Sequence, residues 1–209
     1  MEKTSFHHGD LRNALVLTAE RIVDRKGVAG LALREAAREA GVSANATYRH
    51  FEDKSALLAA VAAKGFAALA TAMEGKMAEE AGPWDRFLAT GAAYLDFAKH
   101  RPQIFDLMFG AFGAGSRHDV DGRGPGGRTP FELLADALDE LVDAGVIRRR
   151  RRRGAELFVW PLVHGLAALQ QSGALRRETA ADPWPDTVAF IARGLGVSPA
   201  LSGGLPPVP

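Results

Sequence analysis

Side chains that can hydrogen-bond to bases and phosphates follow a glycine turn near the amino terminus. Asn45 and Arg49 carry the amide and guanidinium groups that bind base edges with two hydrogen bonds, and the Tyr48 hydroxyl can reach a phosphate. Gly41 follows a strong helix-forming stretch, and Ser43 can cap a second helix. This spacing predicts a helix-turn-helix whose second helix is free to enter a DNA major groove. An ordinary helical hairpin is the alternative interpretation.

The predicted second helix divides its side chains between two faces. The helical period turns Thr47 and Phe51 toward the core, whereas Ala44, Asn45, Tyr48 and Arg49 face outward. Apolar contacts, for example to thymine methyl groups, are all that an alanine can make. Taken one at a time, each of these residues could be ordinary surface. Together they predict the following DNA-contacting set: Arg34, Ser43, Ala44, Asn45, Ala46, Tyr48, Arg49, His50 and Lys54.

The residues around the turn resemble the TetR family of bacterial repressors. That family carries a G-V-S, Y-x-H/Y-F, then K pattern, and this chain has it at Gly41, Val42, Ser43, Tyr48, His50, Phe51 and Lys54. The FHHGDLR start resembles one branch of the same family. The resemblance implies a homodimer, a double-stranded palindromic operator and a small-molecule effector site in the larger domain. No cofactor is expected. The chain departs from the family at Ala32, where a Ser or Thr cap is usual, and at Thr47, where a larger aliphatic residue is usual.

Composition predicts an all-α protein, and the helix-turn-helix with the family resemblance implies two domains and a tail. Of the 209 residues, 47% are apolar, none is cysteine, and strand-forming runs are sparse. We expect a DNA-binding domain over residues 1–54, continuing into the next helix to about residue 62. A helical effector-binding and dimerisation domain then covers 55–196, and 197–209 form a disordered tail rich in proline and glycine. The net charge is only +1, so DNA binding must depend on local placement of cations.

Several helix boundaries follow from local signals. The first helix is predicted from about Asp10 to Lys26, and a long helix is predicted from a Ser55 cap to about Ala81. Pro83, Pro102 and Thr129-Pro130 mark three later helix starts. The glycine-rich segment 110–128 is expected to be a mobile loop. After it, a buried stripe is predicted at Phe131, Leu134, Leu138, Leu141 and Val142.

Aromatic residues of the larger domain predict a mostly apolar effector pocket. Trp160, His164 and Gly165 resemble the W-x-x-x-H-G pattern of one carboxy-terminal class in the TetR family, and Trp160 and His164 share a helix face. A lone histidine on an apolar helix is more often a satisfied core residue, and aromatic side chains can simply fill a core. The predicted lining is Tyr94, Phe97, Phe105, Met108, Phe109, Trp160 and His164, with Tyr94 or His164 donating a hydrogen bond to a hydrophobic or aromatic ligand.

Two further surfaces are suggested by the second half of the chain. The apolar faces of the last two helices predict a dimeric four-helix bundle through Leu162, Leu166, Leu169, Phe190 and Ile191. Arg148 to Arg153 are six consecutive arginines, which suggest a nucleic-acid patch. Because they precede a helix and are remote in sequence from the helix-turn-helix, we favour a solvated turn. A weak second contact to a nucleic-acid backbone or RNA stays open.

No catalytic or metal-binding constellation competes with the regulator interpretation. His7, His8 and Asp10 are too close in sequence to converge on one ion from a helix, so no metal site is predicted. The alternatives are an all-helical enzyme that uses His164 with Asp106 or Asp136, and a DNA-binding adaptor without an effector. The polar amino terminus lacks a signal peptide, and no apolar run looks long enough to span a bilayer. We therefore expect a cytoplasmic protein without membrane contact.

Overall fold

A computed structural model describes residues 8–113, 122–175 and 182–197. These residues form nine α-helices and no β-strand, which confirms the predicted all-α class. The helices are α1 His8–Lys26, α2 Leu33–Glu39, α3 Ala44–Tyr48, α4 Lys54–Ala78, α5 Pro83–His100, α6 Pro102–Phe109, α7 Pro130–Asp143, α8 Ala155–Gln171 and α9 Trp184–Leu195. Short 3-10 turns cover Val28–Gly30 and Arg149–Arg151. The predicted tail lies outside the described residues, except that Val197 follows α9.

The chain divides into two compact units, and the division falls inside α4. The first unit takes residues 1–68 and 101–123, and the second takes 69–100 and 124–209. The first unit therefore holds α1 to α3, most of α4, and α6. In the second unit, α5 packs against both α7 and α8, and α8 also contacts α9. The sequence predicts a first domain over residues 1–54 that continues to about residue 62, and it gives no indication that α6 groups with the amino-terminal helices.

The first unit has an apolar core closed by ion pairs at its edge. Leu15, Ile22, Leu57 and Leu58 are fully buried in it. At the start of α6, the Arg101 guanidinium contacts both acidic residues that α1 turns toward it: its Nη2 lies 3.1 Å from Glu20 Oε1 and 2.5 Å from Asp24 Oδ2. These pairs fix α6 to α1.

The second unit is held by close helix contacts and by one shared guanidinium. Arg86 on α5 donates from Nε to both carboxylate oxygens of Glu140 on α7, each at 3.1 Å, and from Nη1 to the Glu80 and Ala81 carbonyls. The hydrogen bond from Arg86 lowers the pKa of Glu140. Gly91 on α5 admits the Trp184 ring, because a Cβ there would lie 2.6 Å from it.

The segment before α7 was predicted to be a mobile loop, and its described part is tied down. The Gly126 backbone N–H donates to both carboxylate oxygens of Glu74 on α4, at 3.1 and 3.2 Å. Residues 114–121 of the predicted loop lie outside the described residues. Thr129 then caps α7 as predicted, with a full capping box to Glu132.

Two local predictions are corrected, namely the cap of α4 and the buried stripe of α7. Helix α4 begins at Lys54, and its cap is Asp53 and not Ser55. The Ala56 N–H donates to Asp53 Oδ1 at 2.8 Å. Phe131 is 39% exposed and Val142 is half-buried, so neither joins the buried stripe. That stripe is formed by Leu133, Leu134, Ala137, Leu138 and Leu141, and the helical period puts Phe131 and Val142 at its edge. Among the described residues, α4 is long and apolar enough to cross a membrane by length and composition, although Lys64 interrupts the apolar stretch between Ser55 and Met73. However, 56% of that window is buried inside the protein, as in an ordinary core helix.

Candidate functional site

The turn between α2 and α3 is built by its backbone. The Val42 N–H donates to the Ala37 carbonyl at 2.9 Å and the Gly41 N–H donates to the Arg38 carbonyl at 3.2 Å, which is the Schellman arrangement. Gly41 has a φ of +71°, and a Cβ there would meet no atom within 4 Å. Glycine is therefore needed at this turn for its backbone conformation and not for space. Both predicted elements of the helix-turn-helix are confirmed.

Helix α3 starts at the predicted cap and presents polar groups outward. Ser43 Oγ accepts from the Ala46 N–H at 3.2 Å. Tyr48 is 51% exposed, and Asn45 and Arg49 are also exposed. Exposing half of a tyrosine side chain to water is unfavourable unless a partner contacts its ring and hydroxyl. The outward face predicted from the helical period is present.

The opposite side of α3 anchors it in the first unit. Phe51, just beyond the helix, is 3% exposed, and the Arg12 guanidinium lies 5.3 Å from its ring centroid. Thr47 is fully buried, and its Oγ1 has no hydrogen-bond partner within the described part of the chain. This is the position where a larger aliphatic residue is usual in the family, so the hydroxyl is buried at a cost.

Local charge around the helix-turn-helix is more positive than composition suggests. Lys26 Nζ lies 2.6 Å from Glu35 Oε1, and Arg25 Nη2 lies 3.0 Å from Glu39 Oε1, so α1 takes both glutamates of α2. The hydrogen bond from Lys26 lowers the pKa of Glu35. Within residues 8–113, the exposed Arg34, Arg38 and Arg49 form no salt bridge. Arg38 also helps to lower the pKa of Glu35, but no salt bridge holds any of these three side chains away from an external anion.

The remaining predicted contact residues are also placed around this turn. Ala44, Ala46, His50 and Lys54 are half-buried, whereas Ser43 and Arg34 are exposed. Lys54 begins α4, and His50 follows α3 through a hydrogen bond from its N–H to the Thr47 carbonyl at 3.0 Å. Arg38 is an addition to the predicted contact set. Its signal was the cluster of cations in and around α2. Both Arg38 and Arg25 are exposed, and what separates them is that Arg25 is paired with Glu39.

The predicted pocket residues fall into two separate groups. Phe105, Met108 and Phe109 belong to the first unit, where Phe109 packs edge-to-face on Phe66 with ring centroids 5.4 Å apart. Phe105 and Met108 are buried there, and Gly65 on α4 leaves room for Met108, whose Sδ a Cβ would approach to 2.7 Å. These three residues have the contacts of a core.

Tyr94, Phe97, Trp160 and His164 belong to the second unit. There the Tyr94 hydroxyl lies 2.7 Å from His164 Nδ1, and Trp160 Nε1 donates to the same hydroxyl at 3.4 Å. An indole N–H can only donate, so an assignment that uses all three groups has Tyr94 donating to Nδ1 and the His164 hydrogen on Nε2. Tyr94 is buried, and Phe131 adds an edge-to-face contact to Trp160 at 6.0 Å. This cluster, Tyr94–Trp160–His164, joins α5 to α8.

One of the two carboxylates of the alternative enzyme hypothesis is already paired with a cation. Asp136 Oδ2 pairs with Arg128 Nε at 2.9 Å, and Asp106 is an exposed residue of the first unit. His164 has Tyr94 at its Nδ1. No group of three or more His, Cys, Asp or Glu able to hold a metal occurs among the described residues. The described geometry thus gives the predicted acid–base pair no support from Asp136.

The predicted dimer residues differ in exposure. Leu162, Leu169 and Phe190 are 40%, 47% and 57% exposed, whereas Leu166 and Ile191 are buried within the second unit. Two residues not predicted extend the exposed apolar face, namely Leu157 and Phe158. The ring of Phe158 lies over Gly194 of α9, where a Cβ would approach it to 2.4 Å.

Family models match both halves of the chain. Residues 15–61 match the model described as "Bacterial regulatory proteins, tetR family", and residues 87–192 match "Tetracyclin repressor-like, C-terminal domain". No curated protein matched the chain in a sequence comparison.

Solved structures share the fold over nearly the whole chain. A protein of unknown function from Rhodococcus sp. RHA1 is 31% identical, with a TM-score of 0.72 over 92% of this chain and 99% of that one. RolR in complex with resorcinol is 18% identical, with a TM-score of 0.66 over 97% and 98%. HlyIIR, a hemolysin II transcriptional regulator, is 18% identical, with a TM-score of 0.54 over 92% and 100%.

Proposed function

The chain belongs to the TetR family of bacterial regulatory proteins, and on that premise we propose that it is a homodimeric repressor that leaves a palindromic operator when a small, largely apolar effector binds. That it is a DNA-binding transcriptional regulator follows from the family. The palindrome, the dimer and the effector are the proposal. The observation that carries it is the capped helix α3, which presents Asn45, Tyr48 and Arg49 outward from a buried base.

Base reading is assigned to Asn45 and Arg49, because amide and guanidinium groups each bind a base edge through two hydrogen bonds. Tyr48, Lys54 and Arg34 are assigned to phosphates, which position the protein without distinguishing sequences. Ala44 and Ala46 leave room for the base edges, and Ser43 at the helix start and His50 at its end complete the contact surface. The unpaired arginines favour this assignment, since each can neutralise a phosphate without first breaking an internal ion pair.

Selection of bound duplexes from a random DNA pool tests the operator proposal. Two copies of α3 related by a two-fold axis would enrich an inverted repeat, with half-sites about 34–36 Å apart or a multiple of that. An enriched sequence without inverted symmetry would contradict the dimeric operator. The complete lack of enrichment would contradict sequence-specific DNA binding.

Dimerisation is assigned to the exposed apolar face of α8 and α9. Leu162, Leu169 and Phe190 carry this proposal, with Leu157 and Phe158 beside them, since their exposure is costly in a monomer. Leu166 and Ile191 support the face from inside the protomer. Two copies of the α8–α9 pair would form a four-helix bundle.

The effector site is assigned to the second unit around Tyr94, Trp160 and His164, with Phe97 beside them. Aromatic walls with a few convergent polar atoms are typical of small-molecule sites. Phe105, Met108 and Phe109 belong to the first unit, so we expect them to influence the effector response only indirectly, through the stability of the fold. The alternative is that all these side chains are simply core. An effector can release DNA only if it prefers the conformation that fits the operator poorly.

A Tyr94→Phe variant separates the two interpretations, because it removes one oxygen and keeps the ring. Small phenols are the first probes, beginning with resorcinol, which is bound in the RolR structure. We expect a phenol to release the parent protein from its selected operator, and Tyr94→Phe to bind the operator normally but to need more phenol. If Tyr94→Phe responds like the parent, the hydroxyl is structural. If no phenol releases the parent, the proposed effector class is wrong, and a regulator without an effector is favoured.

A further inference from the structure

The turn between α7 and α8 holds six consecutive arginines on a fixed backbone. The Arg151 N–H donates to the Arg148 carbonyl at 2.7 Å, and the Arg152 N–H donates to the Arg149 carbonyl at 3.1 Å. Gly154, with a φ of +74°, then starts α8. A cation on a fixed turn loses only side-chain freedom when it binds a partner, and not backbone freedom.

Two of the six arginines stabilise the second unit. Arg152 Nε lies 2.6 Å from Asp139 Oδ1, and its Nη1 lies 2.6 Å from Glu156 Oε1. The hydrogen bond from Arg152 lowers the pKa of Asp139. Arg151 Nη1 donates to the Gly194 carbonyl at 3.4 Å. The expectation of a wholly solvated turn is therefore wrong for Arg152, which ties α7 to α8.

The other four arginines are Arg148, Arg149, Arg150 and Arg153. All four are exposed, and none forms a salt bridge among residues 122–175 and 182–197. Asp139 and Glu156, the carboxylates that reach this turn, are already paired with Arg152. The turn therefore carries a dense surplus of positive charge, which repels itself and is relieved by a polyanion.

We propose that the Arg148–Arg153 turn is a second DNA-contacting surface, which binds the phosphates of duplex DNA without regard to sequence. A guanidinium offers a planar fork that fits a phosphate with two hydrogen bonds. The run contains no amide to bind a base edge and no aromatic ring on which an unpaired base could stack. These absences favour the phosphates of a duplex over single-stranded RNA.

A membrane surface fits the turn less well than DNA does. Basic segments that bind anionic lipid gain affinity from apolar side chains inserted beside the cations. The run itself has none, and the exposed Leu157 and Phe158 that follow lie on the face assigned above to the dimer.

The test compares three variants of the full chain. One changes Arg148, Arg149, Arg150 and Arg153 to Gln, and a second changes the same four to Lys. A control changes four exposed or half-buried cations of the same unit, Lys76, Lys99, Arg128 and Arg193, to Gln, so the net charge falls equally. All keep Arg151 and Arg152. Each is made in an Arg49→Ala, Lys54→Ala background, which removes two of the cations assigned to DNA at α3 and the start of α4 and so makes a contribution from the turn easier to measure.

Binding to a non-operator duplex is measured by fluorescence anisotropy between about 50 and 200 mM salt. Each lost phosphate contact should lower the slope of log affinity against log salt by about 0.9. We expect the Gln variant to lose about 2–4 in slope per protomer, and the Lys variant and the control to keep most of it. A slope unchanged in the Gln variant, or lowered equally in the control, would overturn the proposal.

Two further arms complete the design. If the Gln variant melts early, an Arg149→Gln, Arg150→Gln double variant should still lose about half as much slope. Vesicles containing phosphatidylglycerol replace DNA in a parallel titration. Binding to vesicles through the four arginines, without binding to the duplex, would overturn the DNA proposal in favour of a membrane surface. Because the selected operator is not used, failure here leaves the function assigned to α3 untouched.

Discussion

Helices α3 and α8 expose opposite kinds of side chain to solvent. Helix α3 buries Thr47 and turns Asn45, Tyr48 and Arg49 outward. Helix α8 instead exposes Leu162 and Leu169 and turns Trp160 and His164 toward Tyr94. An exposed polar face suits a charged, hydrated partner such as DNA, and an exposed apolar face suits another protein surface. The two helices therefore point to two different kinds of partner.

The largest expected effect concerns the exposed apolar face of α8. Leu169→Arg places a charge on the exposed face of α8, so the dimer should dissociate and operator affinity should fall by orders of magnitude, since two linked heads bind far more tightly than one. Sedimentation at micromolar concentration measures the dimer. Ala144→Arg adds the same charge at an exposed site at the end of α7 and should change neither property. A Leu169→Arg dimer as stable as the parent would remove α8 from the interface.

On the polar side, Arg49→Ala should cost roughly 1–3 kcal/mol at the base that Arg49 binds and should relax discrimination there. Lys54→Ala should instead weaken binding to all duplexes alike and lower the salt slope by about 1. Competition binding with the selected operator and single-base variants measures both effects. Arg21→Ala, an exposed arginine of α1, is the control and should bind like the parent. Equal discrimination by Arg49→Ala and the parent would mean that α3 does not dock as proposed.

A smaller effect is expected beneath α3. Thr47→Val keeps the shape of the side chain and removes a buried hydroxyl without a described partner, so the free energy of unfolding should rise by about 1 kcal/mol. Thr90→Val is the matched control, because the buried Thr90 hydroxyl donates to the Phe87 carbonyl at 2.7 Å. Chemical denaturation should show opposite signs for the two substitutions. A loss of stability in Thr47→Val would show that the hydroxyl has a partner in solution.

The smallest effect concerns acid stability of the second unit. Arg86 holds the pKa of Glu140 below its ordinary value of 4.5, so this pair stabilises the fold above that pH and the contribution is lost as pH falls through the lowered pKa. Glu140→Gln should therefore have a lower melting temperature than the parent at neutral pH, and this gap in melting temperature should close as the pH falls. Glu79→Gln makes the same change at an exposed site and should show a smaller gap. A gap that does not close as pH falls would remove the ion pair as its cause.

Local signals predicted the first unit better than the second. The Gly41 turn and the Ser43 cap depend on residues a few positions apart, so the sequence alone located them. The sequence predicted Ser55 as the cap of α4, but Asp53 takes that place, because the residue at which a helix begins depends on how the helix packs as well as on its local sequence.

The second unit depends on contacts between distant residues. The helical period predicted that Leu162, Leu166 and Leu169 share one apolar face. Only the packing of α8 shows that Leu166 is buried inside the protomer. The pairing of Arg152 with Asp139 and Glu156 likewise joins two helices across a turn, so the arginine run could not be divided into bound and exposed members beforehand. The grouping of Phe105 and Met108 with α4 has the same origin.

The most direct test of the regulator proposal is the stoichiometry and symmetry of DNA binding. Anisotropy titrations would compare the selected palindrome, a single half-site and a scrambled duplex at one salt concentration. We expect two protomers on the palindrome, much weaker binding to the half-site, and only salt-sensitive, sequence-independent binding to the scrambled duplex. Equal affinity for the palindrome and the scrambled duplex would contradict the assignment of α3 as the helix that reads an operator.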